Sequence, residues 1–203
     1  MSMPVRLMLA LLLLLAAPAR AGTDALPNAF AEKGFGYTLR YPGNWTLSRP
    51  GGYAVVIGGG EGSPQAKWIV GIDNRLSPQP GKPVAGANAI FEQYLNEVRA
   101  SASQPIVERQ APFSLGRKGK ETVGFQAVVQ FNGNTERLSQ WAVVVPRKSG
   151  TIVHIWTFTA PIETFAQALP TARAILESWS LLPDEKAAEK PEGKPRKKGG
   201  GGH

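Results

Sequence analysis

The chain of 203 residues contains no cysteine. Disulfide bonds, thiolate zinc sites and cysteine nucleophiles are therefore excluded, whichever compartment the protein occupies. A lipid anchor on an N-terminal cysteine is excluded for the same reason. We expect the fold to be held together by its apolar core alone.

Histidine is almost as scarce. Only His154 and His203 are present, which is too few for a zinc site that normally collects three or four nitrogen or sulfur ligands. A Ser–His–Asp triad would have to combine His154 with Asp73, and nothing in the sequence places a serine beside them. Glu92 and Glu97 are five positions apart on one predicted helix and do not project together. The sequence predicts neither a metal nor another cofactor, and a hydrolase is the weakest of the functions considered.

Long apolar runs are missing after the N-terminus. Leu7–Ala17 is the single unbroken run, with Arg6 before it and an Ala-x-Ala site at Ala19–Ala21 after it. A run of eleven residues is too short to cross a bilayer, which takes about 20 residues. We interpret residues 1–21 as a cleaved signal peptide, with an uncleaved anchor as the alternative, and predict a periplasmic or secreted protein that is not a lipoprotein.

Residues 183–203 lack large apolar side chains and are rich in lysine, proline and glycine. Such a composition favours a disordered tail. The formal net charge of the whole chain is +8, which outside the cytoplasm favours anionic lipid, a wall polymer or an acidic protein as partner over nucleic acid. Charge that only keeps the protein soluble, with a solvated tail, is the alternative interpretation.

The remaining pattern predicts an antiparallel sheet with helices. Alternating apolar residues predict strands, and apolar spacing of three and four residues predicts two helices. Pro105 and Pro112 favour an edge position for one strand, and Pro170 predicts a kink or break in the second helix. The predicted strands are 35–41, 53–57, 68–72, 106–115, 121–131, 136–145 and 151–159, and the predicted helices are 87–101 and 161–178. Residues 22–32 are interpreted as a linker, and the fold class is α+β.

Two glycine-rich segments could bind phosphate groups. Gly58–Gly62 follows a strand, and Gly116–Lys120 adds basic residues, but neither precedes a helix or ends in Gly-Lys-Ser/Thr. We interpret both segments as loops between strands.

The segment "GFGYTLRYPGNW", residues 34–45, alternates aromatic and aliphatic side chains before a Pro-Gly-Asn turn. It predicts one side of the first core strand, with a tryptophan covering its end. The residues of this core signature are Phe35, Tyr37, Leu39, Tyr41 and Trp45.

This segment, the later "VGFQAVVQF" and the closing "ILESWSL" resemble the PsbP-like superfamily, which includes DcrB-like proteins. The resemblance covers residues 33–182. It implies an α/β/α sandwich around an antiparallel sheet and a non-enzymatic exported bacterial protein, here without the acylated cysteine of some relatives. It supplies no catalytic residue.

We therefore predict an accessory protein of the bacterial envelope that acts through protein–protein contact. The candidate partner-binding residues are cationic: Arg109, Arg117, Lys118, Lys120, Arg147 and Lys148. The envelope partner is not identified by the sequence. An alternative is a carrier of a small apolar or lipid ligand, held between sheet and helix by aromatic walls such as Tyr37 and Trp156.

Overall fold

A computed structural model describes residues 26–51, 54–76, 86–115, 122–147 and 150–183. The predicted signal peptide and most of the predicted tail lie outside these ranges. The helices are α1, Ala87–Ser101, and α2, Ile162–Ser178. The strands are β1 Asn28–Glu32, β2 Tyr37–Tyr41, β3 Trp45–Ser48, β4 Val55–Gly59, β5 Ile69–Leu76, β6 Ser103–Leu115, β7 Thr122–Asn132, β8 Arg137–Pro146, β9 Ile152–Pro161 and β10 Ser180–Leu181.

Seven of these strands form one large antiparallel sheet in the order β3-β4-β5-β9-β8-β7-β6. The predicted meander is confirmed as β7-β8-β9, which short turns can connect because the strands are antiparallel. Strand β5 pairs with β9 along eight residues, Ile69–Leu76. The first half of the chain is thereby joined to the meander in a single sheet.

A second, small sheet has the order β1-β2-β10, and the sequence did not predict it. Residues 28–32 are strand β1 rather than part of a linker, because they pair with β2 over five residues. Strand β2 begins at Tyr37 rather than at Phe35, since residues 33–36 form a turn in which the Gly36 amide donates to the Glu32 carbonyl at 2.8 Å. Gly36 has a φ of +70°, a conformation that favours glycine.

The large sheet carries a separate core on each face. Helix α1 covers one face, where Phe91 and Leu95 pack against Val129 and Val144. Helix α2 and the small sheet cover the other face, where the core includes Trp156. Both faces of a central antiparallel sheet are thus covered, which confirms the α+β sandwich. Within α2, Pro170 does not interrupt the helix, so the predicted break is wrong.

Helix α1 is held over the sheet by charge as well as by its apolar stripe. The Arg75 guanidinium on β5 donates to both carboxylate oxygens of Glu97, at 2.9 and 2.6 Å, and to Asp73 at 3.0 Å. A bidentate pair of this kind fixes orientation better than a single contact. The hydrogen bond from Arg75 lowers the pKa of Glu97.

The core signature largely occupies the core. Tyr37, Leu39 and Trp45 are buried, and Phe35 and Tyr41 are partly buried against the same cluster. Trp45 is also the first residue of β3, and its amide donates to the Pro42 carbonyl at 3.1 Å. The segment is a structural element, as its alternation indicated.

Strand β6 is an edge of the large sheet, as its prolines predicted. Its pairing with β7 shifts register between Ser103 and Ile106 and again between Val107 and Arg109. Register shifts of this kind are β-bulges, which bend and twist an edge strand. Among the described residues, neither helix has the length and apolar character needed to cross a membrane.

Candidate functional site

A groove of about 830 Å³ opens between the end of α2, strand β10 and the β6–β8 part of the large sheet. We call it the Trp141 groove, after the residue at its floor. One side of the groove is formed by the second half of α2 and by β10, and the other side by β6, β7 and β8. The lining residues are Arg40, Phe113, Ser114, Leu115, Gln126, Trp141, Arg173, Leu176, Glu177, Ser178, Trp179, Ser180 and Leu181.

The floor of the groove is rigid. The Trp141 indole Nε1 donates to the Gln126 side-chain oxygen at 3.0 Å, which satisfies the one polar atom of the ring. The Trp141 ring also packs edge-to-face against the Trp156 ring, with the ring centroids 5.3 Å apart. Trp141 is 9% exposed, so the ring presents a small apolar surface to the groove, and its fixed position avoids a loss of side-chain entropy on binding.

The rim of the groove is mainly cationic. The exposed Arg173 guanidinium lies 5.8 Å from the centre of the Trp141 ring, within cation–π range. Arg40 is also exposed, and its Nε donates to the Leu26 carbonyl at 2.8 Å. In the described part of the chain, neither arginine forms an ion pair. Glu177 is the one carboxylate of the lining, so the rim carries a surplus of positive charge.

The residues of the predicted cationic cluster have different outcomes. Lys148, Arg117, Lys118 and Lys120 lie outside the described residues, as does the side chain of Arg109, whose backbone belongs to β6. Their predicted role therefore stays a prediction. Leu115, which immediately precedes the segment that contains three of them, lines the Trp141 groove.

Arg147 is not the exposed partner-binding residue that the sequence predicted. Its side chain reaches into the fold and is only 6% exposed. The guanidinium donates to the carbonyls of Phe35, Gly36 and Leu182, with distances of 3.1 Å to Phe35 and 2.7 Å to Leu182. The residue joins the β8–β9 turn to the small sheet, and a Cβ on Gly36 would collide with the guanidinium.

His154 is also inside the fold. It is fully buried, Nδ1 lies 2.9 Å from the Asn74 side-chain oxygen, and the rings of Tyr37 and Trp179 pack edge-on against it. Burial, and next the positive charge of Arg147, lower the pKa of His154 to about 3. Burial likewise raises the pKa of Tyr37 to about 12. Solvent and substrate do not reach this imidazole, so it cannot serve as the base of an exposed hydrolytic site.

The glycine-rich segments and metal ligands considered from the sequence form no binding site in the described residues. Gly58 and Gly59 end strand β4, and the Gly59 amide donates to the Trp68 carbonyl at 3.1 Å, so this segment joins two strands as predicted. The second glycine segment lies outside the described residues, between the paired strands β6 and β7. Among the described residues, no group of three or more acidic or histidine side chains could hold a metal ion.

Sequence reasoning missed the groove. It treated Trp141 as core packing, which its 9% exposure and its place in the core confirm, and it did not single out Arg40 or Arg173. No local pattern in the sequence marks the groove, because the groove depends on where α2 packs, which is mainly against β2, β8 and β9. It also named Tyr37 and Trp156 as ligand walls, which is wrong because both side chains are fully buried away from open space.

Comparison with known proteins rests on three-dimensional structure. No protein-family model and no curated protein sequence matches the chain. The cyanobacterial PsbP protein CyanoP of Synechocystis matches with a TM-score of 0.54 at 11% identity, over 76% of this chain and 91% of its own. The chain has the PsbP-like fold.

Two further structures share the PsbP-like fold. LpqN of Mycobacterium tuberculosis, described as involved in cell envelope biogenesis, has a TM-score of 0.50 at 16% identity, over 72% of this chain and 83% of its own. The Ran-binding protein Mog1p of Saccharomyces cerevisiae has a TM-score of 0.50 at 10% identity, over 76% and 95%. A Bacteroides thetaiotaomicron structure is also similar, and the chain spans about half of its length, 48%. At these identities the likeness establishes the fold.

Proposed function

We propose that the protein is an exported, non-enzymatic binding protein that acts by contact with another protein in the Trp141 groove. The groove carries the proposal, since it joins an apolar, rigid floor to a cationic rim. Protein-binding sites commonly combine a buried aromatic anchor with a polar rim. The PsbP-like fold of LpqN, described as involved in envelope biogenesis, and of Ran-binding Mog1p is compatible with this role.

The proposal is tested by crosslinking at single positions in the cells that export the chain. A photoreactive amino acid is placed at Ser180, which is exposed in the groove lining, or at Thr46, which is exposed on β3. We expect a discrete covalent adduct with one protein from Ser180 and none from Thr46. Equal adducts from both positions, or none from Ser180, would contradict the proposed site.

Export is tested separately, because the predicted signal peptide lies outside the described residues. We expect the mature chain to begin near Gly22 and to appear in the periplasm or the medium, as shown by fractionation and intact-mass measurement. A full-length chain that stays in the cytoplasm would contradict export. Contact of the basic tail with anionic lipid or wall polymer stays a prediction from sequence.

A second candidate function is transport or storage of a small apolar ligand in the same groove. Its volume favours this candidate, because about 830 Å³ lies within the usual range of about 300–1,000 Å³ for small-molecule sites. Native mass spectrometry of protein purified from its own envelope separates the two candidates. A retained small-molecule mass that is lost in Trp141→Ala supports the carrier.

A further inference from the structure

Strand β10 is a free edge of the small sheet on the side of the groove. In the described residues it pairs with β2 on one side and with no strand on the other. Its register places Ser180 opposite Thr38 and Leu181 opposite Tyr37. The next residue, Leu182, donates its amide to the Gly36 carbonyl at 2.8 Å.

This bond fixes the direction in which each residue of β10 presents its backbone. Along an antiparallel pair, hydrogen-bonded residues alternate with residues whose N–H and C=O point to the opposite side. Leu182 bonds to β2, so Ser180 does the same, and Leu181 presents its N–H and C=O away from β2. Ser180 and Leu181 both line the Trp141 groove, and in the described structure the N–H and C=O of Leu181 have no hydrogen-bond partner.

Resting on the proposed function above, we propose that the partner contributes an extended, acidic segment that adds to β10 as a fourth strand of the small sheet. Its backbone exchanges hydrogen bonds with Leu181. Addition of a strand to a free edge uses main-chain bonds for affinity and alternate side chains for specificity. Side chains on one face of the added strand then lie over Trp141 and Phe113.

The positive charge of the groove rim favours an acidic partner segment over a basic one. Arg40 on β2 and Arg173 on α2 are exposed in the lining, against the single carboxylate of Glu177, and neither arginine forms an ion pair in the described chain. Complementary charge at a rim mainly raises the association rate and rejects partners of the wrong sign.

The chain's own tail is a poor occupant of the same groove. It follows Pro183 directly, but apart from two prolines its apolar side chains are two alanines, Ala187 and Ala188. Such side chains would leave the space over Trp141 empty, which forfeits the contacts that drive docking. Six cations against four carboxylates also give the tail the same sign as the rim.

The test uses the full mature chain and a defined probe. Fluorescein-labelled decapeptides in which valine, threonine and phenylalanine alternate with aspartate or glutamate are compared with the same set carrying lysine at the acidic positions. Fluorescence anisotropy measures binding. We expect saturable binding of the acidic set, and affinity for the lysine set lower by about ten-fold or more.

Two variants separate edge pairing from charge. Leu181→Pro removes the outward N–H and leaves the bonds of residues 180 and 182 to β2, while Leu181→Val retains the N–H and serves as its control.

Arg173→Glu reverses one rim charge, and Arg99→Glu on the exposed side of α1 is its control. We expect affinity to fall about ten-fold in Leu181→Pro and in Arg173→Glu and to stay unchanged in the controls. Unchanged thermal melting confirms that each variant is folded.

Other results overturn the inference in distinguishable ways. Undiminished binding in Leu181→Pro, or equal binding of both peptide sets, would refute strand addition of an acidic segment. If a chain that stops at residue 183 binds the peptides more tightly than the full mature chain, the tail occupies the groove. If the protein binds dodecanoate and no peptide, the groove binds an amphiphile. If peptides fail while the Ser180 crosslink persists, the proposed function stands without this inference; if the crosslink also fails, both fall.

Discussion

At the scale of single residues, His154 shows how burial decides chemistry. The chain has two histidines, His154 and His203, and of these only His154 lies within the described residues. Its Nδ1 contacts Asn74, and its Nε2 has no hydrogen-bond partner in the described structure. The ring is therefore a neutral core residue with an unsatisfied ring nitrogen.

His154 predicts a loss of stability in mild acid. Its pKa falls from 6.5 in the unfolded chain to about 3 in the folded chain, so the unfolded chain binds more protons between these values. The contribution of His154 to the free energy of unfolding is complete above pH 6.5 and declines as the pH falls. At pH 5 the loss is about 2 kcal/mol. Urea denaturation at pH 7 and pH 5 measures this difference, and His154→Gln removes most of it. An equal loss in His154→Gln would assign the acid sensitivity to other groups.

Trp45 predicts a large cost of truncation. It is 4% exposed and belongs to the core beneath α2 and the small sheet. We expect Trp45→Ala to lower the free energy of unfolding by about 3–5 kcal/mol, and Trp45→Phe to lower it by less. Denaturant melts measure both. A loss for Trp45→Ala below about 1 kcal/mol would contradict its place in the core.

Sequence alone predicted the core residues better than the site residues. The alternation of Tyr37 and Leu39 reports directly on which side of a strand is buried. Arg147 carries no such signal, because burial of its guanidinium depends on three carbonyls from residues far away in the sequence. Trp141 is equally apolar in sequence whether a helix covers it or not.

At the scale of elements, the long segments were predicted well and the short ones were not. Helix α1 has the predicted bounds, and β7, β8 and β9 lie within one or two residues of prediction at either end. Strand β1 has one large apolar residue, Phe30, and β10 has two residues in all, so neither shows a measurable period. Their pairing is set by the surrounding tertiary structure.

Pro170 makes α2 less stable than its length suggests. It lies in the middle of the helix and is exposed, and it cannot donate a hydrogen bond to the preceding turn. We expect Pro170→Ala to raise the free energy of unfolding by about 1–3 kcal/mol. Thermal and urea melts measure the gain, with Gln167→Ala, one turn earlier and also exposed, as control. A destabilised Pro170→Ala would show that a distorted α2 is needed for packing.

At the scale of the whole molecule, one buried cation joins the two sheets. Arg147 follows β8 of the large sheet and bonds to Gly36 and Leu182, which flank the small sheet. Charge-assisted bonds to carbonyls stabilise more than neutral ones, and their loss leaves polar groups unpaired.

We expect Arg147→Met to lower the free energy of unfolding by about 2–4 kcal/mol, because three carbonyl acceptors lose a hydrogen bond from a charged donor. Hydrogen exchange should rise first in β1, β2 and β10 and much less in β8 and β9. Arg99→Met, on the exposed side of α1, is the matched control and should change neither quantity. Uniform exchange across both sheets would show that Arg147 does not act at their junction.

The two edge strands of the large sheet affect how readily the protein aggregates at high concentration. One edge, β3, is only four residues long, and the other, β6, is interrupted by two register shifts and by Pro112, which has no N–H. Short, bulged and proline-bearing edges are poor templates for a neighbouring chain. The edges of the large sheet therefore disfavour strand pairing between copies of the protein that fold at high concentration. The thirteen residues of β6 form a long edge strand without favouring aggregation into fibres.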